Sequence, residues 1–352
     1  MEKIKKITQN ISGIDSIITQ RTQEKLDSLT KPLGSLGRLE ELAKQICGIT
    51  GKENPDLSHK VIFTLAGDHG VTEEGISAYP KEVTAQMVYN FLKQGAGINV
   101  LSKHVGARVV VVDIGVCSDL KVHPRLIIKK INYGTKNMAK GPAMTKEEAM
   151  RSILTGIEIF EEELNHGIDI AGTGEMGIGN TTAASAITAC FTKKPVEEVT
   201  GKGAGLDDKK LKNKIDVIKK SLAVNKPDPC DPIDVLAKIG GFEIGGLTGI
   251  ILAAASNKVP VVIDGFISGA AALIAFHIAP KVKNYMIAAH QSVENGHKAI
   301  LDHMGLKPLF DLDLRLGEGT GAALGIGLAD AAIKILTQMA TFKSAKVSEI
   351  KK

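Results

Sequence analysis

The stretch VIFTLAGDHG, residues 61–70, opens on an apolar run and closes on glycine, aspartate and histidine. Apolar and polar residues do not alternate in it, so a strand here is covered on both faces, as in a parallel sheet. The same texture returns in ARVVVVDIG (107–115), GIDIAGTGEMGIGN (167–180), VPVVIDGFISG (259–269) and NYMIAAHQS (284–292). Between these runs the spacing predicts helices near 81–104, 146–165, 181–191, 207–224 and 243–256. Strand and helix in alternation read as a doubly wound α/β fold. Residues 1–58 read as polar helices interrupted at 30–38, and a last helix from Gly321 to about Phe342 is expected to pack with them as a smaller lobe.

Composition narrows the function. Of 352 residues, 43% are apolar and 24% charged, the balance of a soluble globular chain. Aromatics are only 4% and tryptophan is absent, which argues against stacking platforms for single-stranded nucleic acid. Basic residues number 44 against 39 acidic ones, with the signs interspersed. That excludes a nucleic-acid footprint but accommodates an anionic small substrate. The N-terminal MEKIKKITQN lacks the apolar core of a signal peptide, and the apolar region 240–257 is broken by five glycines and Glu243. A soluble cytoplasmic protein with no membrane partner is expected. The cysteines Cys47, Cys117, Cys190 and Cys230 show no CxxC spacing and read as buried, reduced thiols.

In doubly wound sheets the ligand binds beyond the carboxyl ends of the strands. Asp68-His69-Gly70, Gly174-Glu175-Met176-Gly177, Asp264-Gly265 and His290-Gln291-Ser292 all fall there, so they should converge on one crevice. GTGEMGIGNTT (172–182) holds a G-x-G-x-x-G pattern, but the acids expected about twenty residues on, Glu197 and Glu198, sit in a polar stretch that is no strand end. A mononucleotide loop fits better: glycines expose N–H groups, and a helix from Thr181 offers its positive end to a phosphate. The plain alternative is a helix entry capped by Asn180 or Thr181. GKGAGLDDKKLKNK (201–214) repeats the theme and places Lys214 two turns into a helix. A solvated helix face with pairs such as Asp208–Lys212 would also explain those lysines. Asp68, His69, Glu73 and Glu74 have no metal-ligand spacing, and Asp68 and His69 read as loop organisers. In RLGEGTGAALG (315–325), Glu318 is either a first-turn acid favouring the helix that follows or a general base in a glycine-lined pocket.

KPLGSLGRLE (31–40), AGDHGV (66–71), GTKNMAKGPAM (134–144), GTGEMGIGNTT (172–182), NKIDV (213–217), GGFEIGGLTG (240–249), IDGFISGAAAL (263–273) and RLGEGTGAAL (315–324) occur in that order. Together they resemble the nicotinate-nucleotide–dimethylbenzimidazole phosphoribosyltransferase family, from about residue 20 to 340. The resemblance implies a homodimer whose chains have a Rossmann-like parallel sheet flanked by helices (59–324) and a small helical domain built from both chain ends (1–58 plus 325–352). It implies transfer of phosphoribose from nicotinate mononucleotide to 5,6-dimethylbenzimidazole, without a cofactor or metal. It assigns Glu318 as general base. Glu175 is the second catalytic candidate, as an acid placed near the cationic leaving ring or the ribose. Gly174, Gly177, Ile178, Gly203, Lys214, Asp264 and Ser292 would hold the nucleotide. Tyr79, Gln86, Met87, Met176 and Leu316 would form the base pocket. Tyr79 and Met87 stand where some relatives carry serine and glutamine, so a purine or phenolic base is the nearest alternative. A nicotinamide-dependent oxidoreductase or a non-catalytic nucleotide binder are the other classes weighed.

Overall fold

A computed structural model describes residues 2–203, 205 and 207–348. Six strands, β1 (Lys60–Gly67), β2 (Ala107–Gly115), β3 (Leu126–Ile128), β4 (Ile170–Met176), β5 (Val261–Ile263) and β6 (Met286–Ala288), form one sheet in the order β3-β2-β1-β4-β5-β6. Every pairing is parallel. This is the Rossmann strand order, and its reversal point lies between β1 and β4. The edge strand β3 is not foreseen, because three residues flanked by arginine and lysines carry too little apolar signal.

The helices are α1 (Glu2–Gln9), α2 (Ser16–Ser28), α3 (Arg38–Thr50), α4 (Val83–Leu92), α5 (Gly97–Val105), α6 (Lys146–Leu164), α7 (Asn180–Thr192) and α8 (Val196–Val199). They continue with α9 (Asp208–Asn225), α10 (Pro232–Ile239), α11 (Phe242–Ser256), α12 (Phe266–Ile278), α13 (Asn295–Met304), α14 (Thr320–Gln338) and α15 (Phe342–Ala345). The expected helix over 81–104 is two: Gln94 adopts φ 62° and Gly95 follows it, which breaks the chain before α5. The strand expected through 259–269 ends at Ile263, and Phe266 already begins α12. With α10 and α13, α12 is absent from the sequence reading. An all-apolar helix shows no period to distinguish it from a buried strand. The last helix stops at Gln338 rather than Phe342, because Leu29 and Thr341 bridge there and Thr30 N–H donates to the Ala340 carbonyl.

Residues alternate faces along β1. Val61, Phe63 and Leu65 join a core with α6, α11 and α12, while Ile62 and Ala66 join a second core with α3, α5 and α14. The region 240–257 is α11, almost wholly buried in the first core. There α6 and α11 cross with their backbones in contact: a methyl on Gly156 would collide with the Gly246 carbonyl, and one on Gly249 with the Ile153 carbonyl. The chain ends take different faces. α2 and α3 pack with α14, which itself lies on β1, β4 and β5, whereas α1 lies against α11.

Candidate active site

A cavity of about 520 Å³ opens beyond the carboxyl ends of β4, β5 and β6. Its walls bring together Glu175, Gly177, Lys214, Asp264, Ser292 and Glu318, drawn from a span of more than 140 residues. Glu318 is only 5% exposed and sits at φ 64°, between Gly317 at φ 81° and Gly319 at φ 99°. A non-glycine residue in the left-handed region costs on the order of 1 kcal/mol, so the turn needs outside support. β1 and β4 supply it. Thr64 and Gly174 are register partners, and Thr64 Oγ1 donates to the Glu318 carbonyl at 3.0 Å. A methyl on Gly174 would collide with that same carbonyl. Asp264 at the end of β5 completes the clamp, accepting from the N–H groups of Gly319 (3.2 Å) and Ala322 (3.0 Å).

Neither simple reading of Glu318 describes its carboxylate fully. It does serve a helix start, but of α5, over two hundred residues earlier in the chain. Oε2 accepts from the Ile98 N–H at 3.1 Å, where Ala96 has no side-chain cap to offer. Oε1 takes no hydrogen bond among the described residues. Burial pushes the Glu318 carboxyl above the ordinary carboxylate range, and the amides of Ile98 and Gly97 only partly pull it back. The result is a carboxylate fixed by one oxygen, with raised basicity at the other.

Another wall is built for an anion. Lys214 on α9 is 1% exposed, and its ammonium donates to Thr181 Oγ1 (2.8 Å) at the start of α7 and to the Gly201 carbonyl (3.4 Å). Burial lowers its pKa to about 8, opposed only by the charge of Glu294. Such a cation, with no carboxylate paired to it among the described residues and beside a helix N-terminus, is a ready anion site. Gly203 lies against the Lys214 ammonium, and its carbonyl accepts from Arg315 at 3.1 Å. Ala204 and Leu206, in the quoted GKGAGL, lie outside the described residues.

The glycines of GTGEMGIGN act differently from the expectation. Gly172 and Gly174 lie within β4, where their bare Cα atoms admit α14 and the Glu318 turn. Gly177 admits the Gly67 carbonyl, and the Ile178 N–H is already taken by Thr84 Oγ1. Gly179, at φ 95°, is the N-cap of α7, so neither Asn180 nor Thr181 caps it. Both side chains turn elsewhere, Asn180 to the Glu175 carboxyl and Thr181 to Lys214. Asp208 pairs with Lys202 at 2.7 Å, not with Lys212.

At the mouth, Tyr79, Met87, Met176 and Leu316 line an apolar slot with Ile76 and Val83. Gln86 does not join them. On α4 the i, i+4 pair Val83 and Met87 faces the cavity, and Gln86 points to solvent. Gly174 also lies outside the cavity walls, beneath the Glu318 turn. Cys117 and Cys230 are exposed, against the expectation of four buried thiols, and all four cysteines are free.

The comparisons with known proteins complete this picture. Residues 11–347 match the family described as phosphoribosyltransferase. A nicotinate-nucleotide–dimethylbenzimidazole phosphoribosyltransferase of Desulforudis audaxviator is 57% identical over 351 residues, covering 100% of this chain and 99% of the relative. The chain belongs to the nicotinate-nucleotide–dimethylbenzimidazole phosphoribosyltransferase family. A Geobacter sulfurreducens phosphoribosyltransferase of that name is also 57% identical, over 96% of each chain. The crystal structure of the Thermus thermophilus phosphoribosyltransferase aligns with a TM-score of 0.91 at 42% identity, over 96% of this chain and 100% of that one.

Within this phosphoribosyltransferase fold the acids crowd one another. Burial raises the Glu175 pKa to about 8, with the charges of Asp264, Glu243 and Glu318 adding to the rise and Asn180 opposing it. Burial lifts Asp264 to about 7 against three backbone amides. Asp68 and His69 organise the loop after β1: the Asp68 carboxylate accepts from Cys117 N–H at 2.7 Å, and His69 Nε2 meets Glu243 Oε1 at 2.7 Å. A stability effect follows for Glu175, whose folded pKa stands above its ordinary 4.5. Its contribution is fully present below that ordinary value and is lost as pH rises through about 8. The free protein is expected to lose more melting temperature between pH 6 and pH 9 than its Glu175→Gln variant. Parallel melting curves for the two would show that Glu175 is not held protonated.

Sequence alone does not single out Asn180, Thr181, Glu294 or Arg315. The first two lie inside a quoted motif but read as helix entry, and Arg315 opens the quoted RLGEGTGAALG without a role of its own there. Glu294 carries no signal, since only folding brings it against Gly201.

Proposed function

We propose that this chain transfers the phosphoribosyl group of nicotinate mononucleotide to 5,6-dimethylbenzimidazole or a close relative, releasing nicotinate and forming α-ribazole 5′-phosphate. The observation that carries this reading is one cavity with two kinds of wall: a buried ammonium at Lys214 in no ion pair among the described residues, and a half-free carboxylate at Glu318 beside an apolar slot. The substrate and base identities come from the relatives' printed names.

The 5′-phosphate takes the Lys214 corner with the start of α7. The bond between ribose C1′ and the pyridinium nitrogen breaks, and its electron pair returns to the ring and neutralises it. The transition state carries positive charge on the ribose, as in other glycosyl transfers. Glu175 lies where that charge develops. In the free site it is protonated at neutral pH, and an arriving cation draws it toward the anion. The unprotonated ring nitrogen of the benzimidazole attacks C1′ from the opposite face, inverting the anomeric centre, and the proton on the ring's other nitrogen passes to Glu318. Holding two rings across one ribose supplies most of the acceleration. Asp264 acts through the Gly319 and Ala322 amides, keeping the Glu318 turn in place. The active unit is a homodimer, tested by light scattering for twice the 37.3 kDa chain mass.

The deciding assay incubates the protein with nicotinate mononucleotide and a panel of bases. Nicotinate release that depends on a benzimidazole supports the reading. Release independent of any base, or none with every base offered, overturns it.

A further inference from the structure

Glu294 has no part in the chemistry described so far, yet it is 7% exposed and lines the same cavity. It stands at the N-cap position of α13 without capping that helix through its side chain. Side chains at that position ordinarily fold back onto the N2 or N3 amides. Glu294 instead extends toward the loop before α9, so close that a methyl on Gly201 would collide with its carboxylate. Its Oε2 is buried and has no hydrogen-bond partner among the described residues. Lys214 feels its charge but reaches Thr181 and the Gly201 carbonyl, and no ion pair joins the two among the described residues. A buried acceptor without a partner and a buried cation without an ion pair among the described residues therefore stand in one corner of the cavity.

That arrangement asks for a ligand carrying an anion and hydroxyl donors a few ångströms apart. A phosphate alone does not serve, because its second face would meet the Glu294 carboxylate as a like charge. A sugar phosphate serves both groups at once. We propose that Glu294 Oε2 accepts a hydrogen bond from a ribose hydroxyl of the bound nucleotide, and so makes the site select ribonucleotides over deoxyribonucleotides. The proposal rests on the phosphoribosyl reading above and names a specificity-determining residue for it. A site built to pair a hydroxyl rejects the analogue that lacks it, because the buried acceptor is then left unpaired.

The test measures calorimetric affinity, with no base present, for nicotinate mononucleotide and for its 2′-deoxy and 3′-deoxy analogues. Wild type is expected to bind the ribonucleotide roughly 10- to 100-fold more tightly than one of the two, the scale of a hydrogen bond to a charged group. Glu294→Ala should bring that ratio close to one. Glu294→Gln, which keeps shape and an acceptor oxygen, should retain a ratio of several-fold and stands in should the alanine variant fail to fold. Equal wild-type affinity for all three nucleotides would overturn the proposal. So would a ratio unchanged in the variants, or an equal loss of every nucleotide, which would place Glu294 in the framework. Base-dependent nicotinate release by wild type is scored separately. A missing discrimination with intact turnover therefore condemns Glu294 alone.

Discussion

Glu318→Gln should bind nicotinate mononucleotide normally and transfer its phosphoribosyl group roughly 10²- to 10⁴-fold more slowly, the usual scale of general-base help. The substitution separates two duties of one side chain. Oε2 supports α5 through the Ile98 N–H, and a glutamine carbonyl can accept that bond equally well. Removing a buried charge also relieves a desolvation cost. The melting temperature should thus stay level or rise slightly, while turnover collapses. The pH profile supplies a second readout. Because burial holds the Glu318 carboxyl above its ordinary 4.5, wild-type turnover should fall with decreasing pH through a midpoint higher than a free glutamate shows. A base must be deprotonated to act, so activity lies on the alkaline side of that midpoint. This acid limb should disappear from the residual activity of the variant. Near-normal turnover in Glu318→Gln would remove the residue from the chemistry and leave it as a helix support.

How far this arrangement could be read from the chain depends on the range of the forces involved. Strands buried on both faces announce themselves as unbroken apolar runs, so β1, β2 and β4 are legible in the chain. Of the strand-end clusters expected in one crevice, Glu175, Asp264, His290 and Ser292 line the cavity, whereas Asp68, His69 and Gly70 lie outside its walls. Motifs are less informative about which neighbour a residue serves. Gly174 looked like part of a phosphate loop, yet its lack of a side chain makes room for a carbonyl 144 residues on. Glu318 looked like an acid for the helix it precedes, and it supports α5 instead. Gln86 lies outside the cavity because helical phase decides which of two adjacent residues faces it, and the break at Gln94 that limits α4 carries little local signal. The Cys117 and Cys230 thiols are exposed because apolar neighbours in sequence do not guarantee cover in space.

Lys214→Met should weaken nicotinate mononucleotide binding by roughly 10²- to 10⁴-fold, since a phosphate buried without its cation forfeits about 3–5 kcal/mol. The same substitution should make the free protein more stable, and that opposition of signs distinguishes an anion site from a framework residue. Without ligand, the buried ammonium has only a hydroxyl and a carbonyl as partners among the described residues. Its pKa falls from 10.5 to about 8 for that reason, a burial cost on the order of 3 kcal/mol at neutral pH. A methionine fills similar space with no charge to desolvate. The pH dependence has a definite sign. A lysine whose folded pKa is depressed adds stability above its unfolded value and loses it as pH falls through about 8. Wild type should therefore gain on Lys214→Met as pH rises from about 8 toward 10.5, and the advantage of the variant should be largest near pH 7. Saturating nucleotide should reverse the order of melting temperatures, because only wild type then pairs its ammonium. A variant that binds the nucleotide normally, or that melts lower at every pH with and without ligand, would show that Lys214 holds the loop rather than the phosphate.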